Sequence, residues 1–182
     1  MSPAIGEVIL DACTLWNFAV VERLDLLEMR YGHRGVRWTE SIQLEIRRHV
    51  REEPSLQAVL EAQWLGEPMS VTGNAETLIR IERIRRGLLA APNDPPTLHL
   101  GEAEVIDLLE TQHPSWIFVT DDQPAGDLAR RRGLTILDTP RVLADCYASG
   151  EIGCPAAYEL LGEMWAKGRG VRVPPSHMDV CP

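Results

Sequence analysis

Lysine is almost absent from this sequence of 182 residues. Of its 18 basic residues, only Lys167, close to the carboxyl end, is a lysine. Chemistry that needs a lysine beside a phosphate therefore has one candidate, in what we expect to be a C-terminal appendage. A glycine-rich loop followed by Lys and Ser or Thr is also absent, which excludes a P-loop nucleotide-binding site.

The cysteines are few and do not form a recognisable pattern. Cys13, Cys146, Cys154 and Cys181 include no C-x-x-C pair and have no histidine at metal-site spacing. We therefore expect reduced thiols in a cytoplasmic protein. No apolar run approaches the roughly 20 residues that span a bilayer, and no basic segment precedes an apolar one near the start. The sequence predicts neither a membrane span nor a signal peptide.

Excess positive charge is also lacking, because the formal net charge is −9. This balance argues against a protein that coats nucleic acid through charge alone. It remains compatible with an enzyme that holds nucleic acid locally through arginines and bound metal ions. The length and the 45% of hydrophobic residues suffice for one domain with a full core.

Short apolar runs alternate with segments of helical periodicity along the chain. This alternation predicts an α/β fold of three layers, α/β/α, around a central, mostly parallel sheet of four or five strands. The predicted strands are 8–10, 36–38, 116–120 and 135–137, with a short extended piece at 69–72. We expect residues 1–150 to form the domain. Residues 151–182 would add a helix and a proline-containing tail that pack on this domain or extend from it.

Carboxylates follow two of the predicted buried strands. Asp11 ends the first, and Asp121 and Asp122 end the third. Ligands of open α/β sheets bind beyond the carboxyl ends of the strands, so these aspartates are candidate site residues. Asp is also a favoured N-cap, and Asp11 taken alone is as readily a cap as a ligand. The pattern leaves open which of Asp121 and Asp122 faces the crevice.

The helix that begins near Gly101 carries a carboxylate on its apolar stripe. At about 100° per residue, Glu102 shares a face with Val105 and Ile106, whereas Glu104 points to the opposite side. A carboxylate on a face directed at the core is costly unless it is paired or binds a metal. The pattern therefore indicates a functional Glu102 and a surface-exposed Glu104.

Glu45 is a weaker candidate on a predicted helix over 40–51. It lies beside Ile42 and His49 at the edge of an apolar stripe. For Glu45, an edge salt bridge and a site role are equally compatible with the pattern. We interpret His49 as a core-edge histidine whose ring finds a local partner.

Four acids that converge cannot all stay ionised without a cation. Since no set of histidines or cysteines accompanies these carboxylates, Mg²⁺ or Mn²⁺ is favoured over zinc. A second charged surface lies on the predicted helix 76–89, where four arginines share a face. That face is typical of a solvated surface, and contact with phosphates is the alternative. The arginines are Arg80, Arg83, Arg85 and Arg86.

Over about residues 7–150, the order and spacing of four elements resemble the PIN domain family of metal-dependent nucleases. The elements are Val8-Ile9-Leu10-Asp11, the acidic helix with Glu45, Gly101-Glu102-Ala103, and Val119-Thr120-Asp121-Asp122. The runs around Asp11 and Glu102 are most similar to a prokaryotic toxin-like subgroup with a similar C-terminal helix and tail.

The resemblance implies that Asp11, Glu45, Glu102 and Asp122 are the catalytic carboxylates. Asp11, Glu102 and Asp122, with Asp121 as the open alternative, would hold one or two Mg²⁺ or Mn²⁺ ions that activate a water molecule. It further implies an RNA substrate, a partner antitoxin protein and a homodimer. Family members usually have Ser or Thr and then Asn after the first Asp, where this sequence has Ala12 and Cys13. Side chains that brace the site are therefore expected to be missing.

Two other classes compete with a ribonuclease. Phosphatases similar to haloacid dehalogenases, and receiver domains, also use an Asp at a strand end, but both need a lysine near the phosphate, and Lys167 is poorly placed. The second alternative is a catalytically inactive PIN-like binding module that keeps the fold and a partner surface.

Overall fold

The computed structural model describes residues 7–71 and 73–182, and in these ranges it contains one sheet of four parallel strands. Their order is β2-β1-β3-β4, so the first strand is central and the crossovers run to both sides. Val8 of β1 pairs with Val36 of β2 and with Ile117 of β3. The strands are β1 (Val8–Leu10), β2 (Val36–Arg37), β3 (Ile117–Val119) and β4 (Thr135–Leu137).

Nine α-helices of the described residues flank this sheet and produce the three-layer α/β/α arrangement. They are α1 (Ala12–Val20), α2 (Leu24–Tyr31), α3 (Glu40–His49), α4 (Gln57–Leu60), α5 (Ala75–Ile84), α6 (Leu100–Thr111), α7 (Gln123–Arg131), α8 (Thr139–Ala148) and α9 (Ala156–Ala166). None of the helices in these ranges has the length and apolarity that a bilayer crossing requires.

The predicted fold class and its four strands are confirmed. The extended piece at 69–72 is an isolated bridge between Thr39 and Met69, and Thr72 lies outside the described residues. Val8, Ile9 and Leu10 have no exposed surface. This complete burial is what helices on both faces of a parallel sheet require.

The sequence pattern over 54–64 is helical, but the structure breaks this segment into short turns around α4. Leu56, Val59 and Leu65 are all buried. In one continuous helix, Leu65 would point about 180° away from Leu56, because nine residues at about 100° each make two and a half turns. The break allows both leucines to reach the core. The helix expected at 76–89 is likewise interrupted. Helix α5 ends at Ile84, and Arg85–Leu89 form a turn of π helix.

The C-terminal segment folds back onto the rest of the chain. Helix α9 packs against α8 and α1, and Lys167 Nζ donates a hydrogen bond to the carbonyl of Val20 at 2.5 Å. Cys154 and Cys181 form a disulfide, with their Cα atoms 6.0 Å apart. The expectation of four reduced thiols is therefore wrong, and only Cys13 and Cys146 are free. The two cysteines are 27 residues apart along the chain, and this spacing does not show that the segment after α9 folds back to Cys154.

Candidate active site

Asp11 lies at the carboxyl end of β1, between the first helix and the neighbouring strand β3. Its Oδ1 accepts a hydrogen bond from the Ala12 amide at 2.8 Å, so it caps α1. Its Oδ2 accepts from the Thr120 hydroxyl at 2.6 Å and from the Cys13 thiol at 3.1 Å. Asp11 is only 2% exposed. It is a helix cap and, at the same time, a carboxylate held in place at the sheet edge.

Asp11 is therefore braced, contrary to the expectation drawn from Ala12 and Cys13. The Cys13 thiol and the Thr120 hydroxyl donate the hydrogen bonds that a serine or asparagine was expected to supply. The Cys13 sulfur also accepts a hydrogen bond from the Asp121 amide at 3.3 Å. Thr120 was not identified from the sequence, because a threonine after a strand is ordinary. Only the pairing of β1 with β3 brings it to Asp11.

The surroundings of Asp11 oppose its ionisation. Burial is the largest cause that raises the pKa of Asp11, and the charge of Glu102 is the next; Glu45 adds a smaller effect in the same direction. The hydrogen bonds from Thr120 and Cys13 act against this increase. The net result is a pKa well above the ordinary value, which indicates that several carboxylates share one poorly hydrated space.

Glu102 and Glu45 face this space from two helices that approach each other closely. A Cβ on Gly101 would lie 3.0 Å from Cγ1 of Ile42, so glycine permits the contact between α6 and α3. Burial and then the charge of Glu102 raise the pKa of Glu45. Oε2 of Glu102 is buried and has no hydrogen-bond partner. A buried carboxylate oxygen without a partner is costly, and a cation is one means of satisfying it.

His99 joins the same group, although the sequence did not indicate it. It precedes α6 in a left-handed conformation with φ 58°. Its Nδ1 is buried without a hydrogen-bond partner and lies 3.5 Å from Oε1 of Glu102 and 3.8 Å from Oδ2 of Asp122. The nearby Glu102 carboxylate is the main cause that raises the pKa of His99, and burial acts against this increase. The spacing His-x-x-Glu at the start of a helix was the available signal.

Asp122 contributes one oxygen to the group and uses the other to cap a helix. Its Oδ1 accepts a hydrogen bond from the Ala125 amide at 2.7 Å, whereas Oδ2 faces His99. Burial is the main cause that raises the pKa of Asp122, and the charge of Glu102 adds to it. One donor atom each from His99, Glu102 and Asp122 lie within 4.8 Å of one another. This is a spacing that a single metal ion could bridge.

Asp121 points elsewhere. Its carboxylate accepts hydrogen bonds from the Thr139 amide at 2.9 Å, the Thr139 hydroxyl at 2.5 Å and the Asn17 amide group at 2.9 Å. These contacts connect the end of β3 to α8 and α1. The charge of Glu102 raises the pKa values of Asp11, Glu45 and Asp122, so the four predicted catalytic carboxylates lie near one another, whereas Asp121 is occupied by structural contacts.

The remaining carboxylates of α6 correct the sequence interpretation. Glu104 was expected at the surface but is 4% exposed, and it accepts a hydrogen bond from the Ser41 hydroxyl at 2.7 Å. Asp107 is 1% exposed and pairs with Arg80, whose Nε is 2.7 Å from Oδ1. Both are buried because α6 is covered by α3, α5 and α7. A helix covered on several sides has no single apolar face, so periodicity alone misplaces its acids.

Two further predictions concern Arg85 and His49. Arg85 was expected on a solvated face but is 3% exposed and donates two hydrogen bonds to Glu82. His49 has the expected local partner, since its Nδ1 lies 3.0 Å from the carbonyl oxygen of Glu45. Its ring centroid is also 4.9 Å from that of Trp16.

Two clefts border the acidic group. A cavity of about 370 Å³ includes Glu45, His49, His99 and Glu102 in its lining. A second cavity of about 310 Å³ includes Asp122, Arg130 and Arg172 in its lining.

The carboxyl edge of this parallel α/β/α sandwich thus carries a set of converging carboxylates. A family model described as a PIN domain matches residues 7–180, and the chain belongs to the PIN domain family. PIN domains are generally nucleases and typically bind divalent metals. No curated protein and no solved structure matches the chain.

Proposed function

We propose that this protein is a metal-dependent endoribonuclease that hydrolyses RNA phosphodiester bonds. The observation that carries the proposal is the convergence of four carboxylates: the charge of Glu102, whose Oε2 is buried without a hydrogen-bond partner, raises the pKa values of the other three. Their side chains come from two strand ends and two helices. They are Asp11, Glu45, Glu102 and Asp122.

The donor set fits a divalent cation. Glu102 and Asp122 would supply carboxylate oxygens and His99 would add its Nδ1, because these three offer donor atoms within 4.8 Å of one another. Asp11, whose pKa is raised by the charge of Glu102, would supply a further oxygen. Carboxylates suit Mg²⁺ and Mn²⁺, and imidazole favours Mn²⁺ of these two. When bound, the ion would polarise the attacking water and neutralise charge that develops on the phosphate.

The chain itself would orient the reacting groups. Three donors hold the Asp11 carboxylate in one rotamer, and the Ala125 amide fixes Asp122. Glu45 makes no ion pair with a described residue. Its pKa is raised, which moves it in the direction of neutral pH. A base is most effective when its pKa lies near the working pH. We therefore assign to the Glu45 carboxylate the acceptance of a proton from the attacking water.

The test is cleavage of single-stranded RNA by the purified protein in Mg²⁺ or Mn²⁺. EDTA should stop the reaction, and Glu102→Gln should reduce the rate at least about 100-fold, the typical cost of losing a charge-stabilising group. Glu110→Gln, an exposed substitution at the other end of α6, should keep the wild-type rate. Undiminished cleavage by Glu102→Gln would refute the role of that residue. Equal cleavage of single-stranded DNA would change the substrate class.

A catalytically inactive binding module is the competing function, and no contact among the described residues favours it. The case for it depended on missing support at Ala12 and Cys13, whereas Asp11 has three hydrogen-bond donors. Titration with Mn²⁺ separates the two proposals. An assembled site gives saturable binding that Asp11→Ala abolishes, and an inactive module gives none.

We further propose that the ribonuclease is the toxin of a toxin–antitoxin pair and forms a homodimer. The resemblance of the runs around Asp11 and Glu102 to a toxin-like subgroup supports this proposal. Induced expression should arrest growth in wild type and not in Asp11→Ala. Purification from the native source should recover a bound protein, and light scattering should give twice the chain mass of 20.3 kDa.

A further inference from the structure

Arg169 lies three residues beyond the end of α9, yet its side chain reaches α1. Its guanidinium carbon is 4.2 Å from the ring centroid of Trp16, a cation–π distance. Its Nε donates a hydrogen bond to Oδ1 of Asn17 at 3.0 Å. Nδ2 of the same Asn17 donates to Asp121, so a chain of polar contacts joins Arg169 to the end of β3.

No carboxylate among the described residues forms an ion pair with Arg169. By contrast, Arg80 forms an ion pair with Asp107, and Arg85 forms one with Glu82. Arg169 is nevertheless half-buried. A half-buried guanidinium without a counter-ion is unfavourable by itself, because burial removes water that would stabilise the charge. An anion that binds there would compensate for this cost.

The position of Arg169 is intermediate between the two clefts. Trp16, on which it stacks, contacts His49 of the 370 Å³ cleft. Gly170, the next residue along the chain, lines the 310 Å³ cleft together with Arg172. A nucleic-acid backbone that runs from one cleft to the other past the carboxylates would pass Arg169.

We propose that Arg169 is a substrate-binding residue that holds a backbone phosphate of the nucleic acid next to the scissile one. Trp16 stacks on the guanidinium and fixes its plane, and Asn17 accepts the hydrogen bond from Nε. Both Nη groups are then left to donate to the phosphate oxygens. Arginine's planar fork suits such contacts. The proposal rests on the ribonuclease function and extends it, because it assigns to the C-terminal segment a direct part in substrate binding.

The salt dependence of binding tests this proposal. Each phosphate contact to a single strand contributes a slope of about 0.7 in a plot of log affinity against log salt concentration. Fluorescence anisotropy would measure binding of labelled oligouridine RNA, about a dozen nucleotides long, to the Glu102→Gln protein with Mn²⁺ across a range of KCl concentrations. An oligothymidine DNA of equal length forms the second arm and separates backbone contact from recognition of RNA.

Arg169→Gln should weaken binding about tenfold at low salt and reduce the slope by about 0.7 in both arms. Arg169→Lys should restore the slope but only part of the affinity, because a lysine keeps the charge and loses the fork. Arg23→Gln is the matched control, since Arg23 lies beyond the far end of α1 from Asp11 and pairs with Asp25. It should change neither quantity.

An unchanged slope in Arg169→Gln would overturn the proposal, whatever happens to the affinity, because a merely structural role does not alter the number of phosphates contacted. Cleavage kinetics give a second measurement: we expect an increased KM and nearly unchanged kcat in Arg169→Gln. If the Glu102→Gln protein binds the oligonucleotides with the Arg169-dependent slope but wild type does not cleave them, the ribonuclease proposal fails alone. If wild type cleaves and Arg169→Gln matches it in slope and KM, the Arg169 proposal fails alone. Absence of any binding would refute both.

Discussion

Thr139 donates both its backbone amide and its hydroxyl to the carboxylate of Asp121, at 2.9 and 2.5 Å. This contact joins the start of α8 to the end of β3. It separates two adjacent aspartates that the sequence could not distinguish. Asp121 supports the fold, whereas Asp122 has an oxygen directed at His99 and lies near Glu102.

An Asn substitution should therefore change stability at Asp121 and metal binding at Asp122. Asp121→Asn should lower the free energy of unfolding by about 1–3 kcal/mol, since buried hydrogen bonds to a charged group are lost, and should keep Mn²⁺ affinity. Asp122→Asn should keep the melting temperature, because Asn is an equally good N-cap, and weaken Mn²⁺ binding at least about tenfold. Thermal unfolding and calorimetry measure the two quantities. If Asp121→Asn weakened Mn²⁺ binding and Asp122→Asn did not, Asp121 would be the ligand.

Glu45→Gln should stabilise the metal-free protein at about pH 8. The pKa of Glu45 is raised in the fold above 4.5, chiefly by burial. The folded protein thus holds this proton more tightly than the unfolded chain, and the resulting stability is lost as pH rises from 4.5 through the folded pKa. Glutamine carries no charge, so it avoids the free-energy cost of burying an ionised carboxylate. We expect an increase in Tm of about 2–4 °C in EDTA that disappears near pH 4.

Exposed Glu40, on the same helix, provides the control for that substitution. Glu40→Gln should not raise Tm at either pH, because Glu40 is near the helix N-terminus, where negative charge is favourable. Saturating Mn²⁺ should reverse the order of Tm values, since the ion stabilises the wild-type carboxylates more strongly. A lower Tm for Glu45→Gln in EDTA at pH 8 would contradict the unfavourable burial of Glu45.

His99→Gln should reduce affinity for Mn²⁺ about tenfold and affinity for Mg²⁺ much less. Imidazole nitrogen favours transition metals, whereas Mg²⁺ prefers oxygen ligands. Calorimetry gives both affinities, and electron paramagnetic resonance should detect nitrogen coupled to bound Mn²⁺ in wild type only. His113→Gln is the control, because His113 stacks on Trp116 near the amino end of β3. Nitrogen coupling that persists in His99→Gln would exclude His99 as the ligand.

Reduction of the Cys154–Cys181 disulfide should lower stability. The bond closes a loop over a sequence separation of 27, which corresponds to about 3.5 kcal/mol in the chain-entropy description. Thermal unfolding with and without a reductant should differ by roughly 10 °C. The double variant Cys154→Ser, Cys181→Ser should be insensitive to the reductant. Thiol titration of the denatured, unreduced protein should find the two free thiols, Cys13 and Cys146, and a count of four would refute the bond.

Part of the site could be predicted because its signals are local. Asp11 follows three apolar residues, and Glu102 interrupts an apolar stripe, so each stands out within a few positions of its own segment. The support of the site is not local. Thr120 lies 109 residues from Asp11, and Thr139 lies 18 residues from Asp121. Such partners become visible only when the strands pair.

The sequence by itself determined the alternation of strands and helices, the parallel sheet and the strand-end position of Asp11, because hydrophobic periodicity depends only on neighbours along the chain. Only the tertiary structure decided which acids share one space. It buried Glu104 and Asp107 under neighbouring helices, brought His99 to Glu102 and Asp122, and placed Arg169 on Trp16. These outcomes depend on which elements meet, and the cost of burying a charge is set by the partners that it meets there.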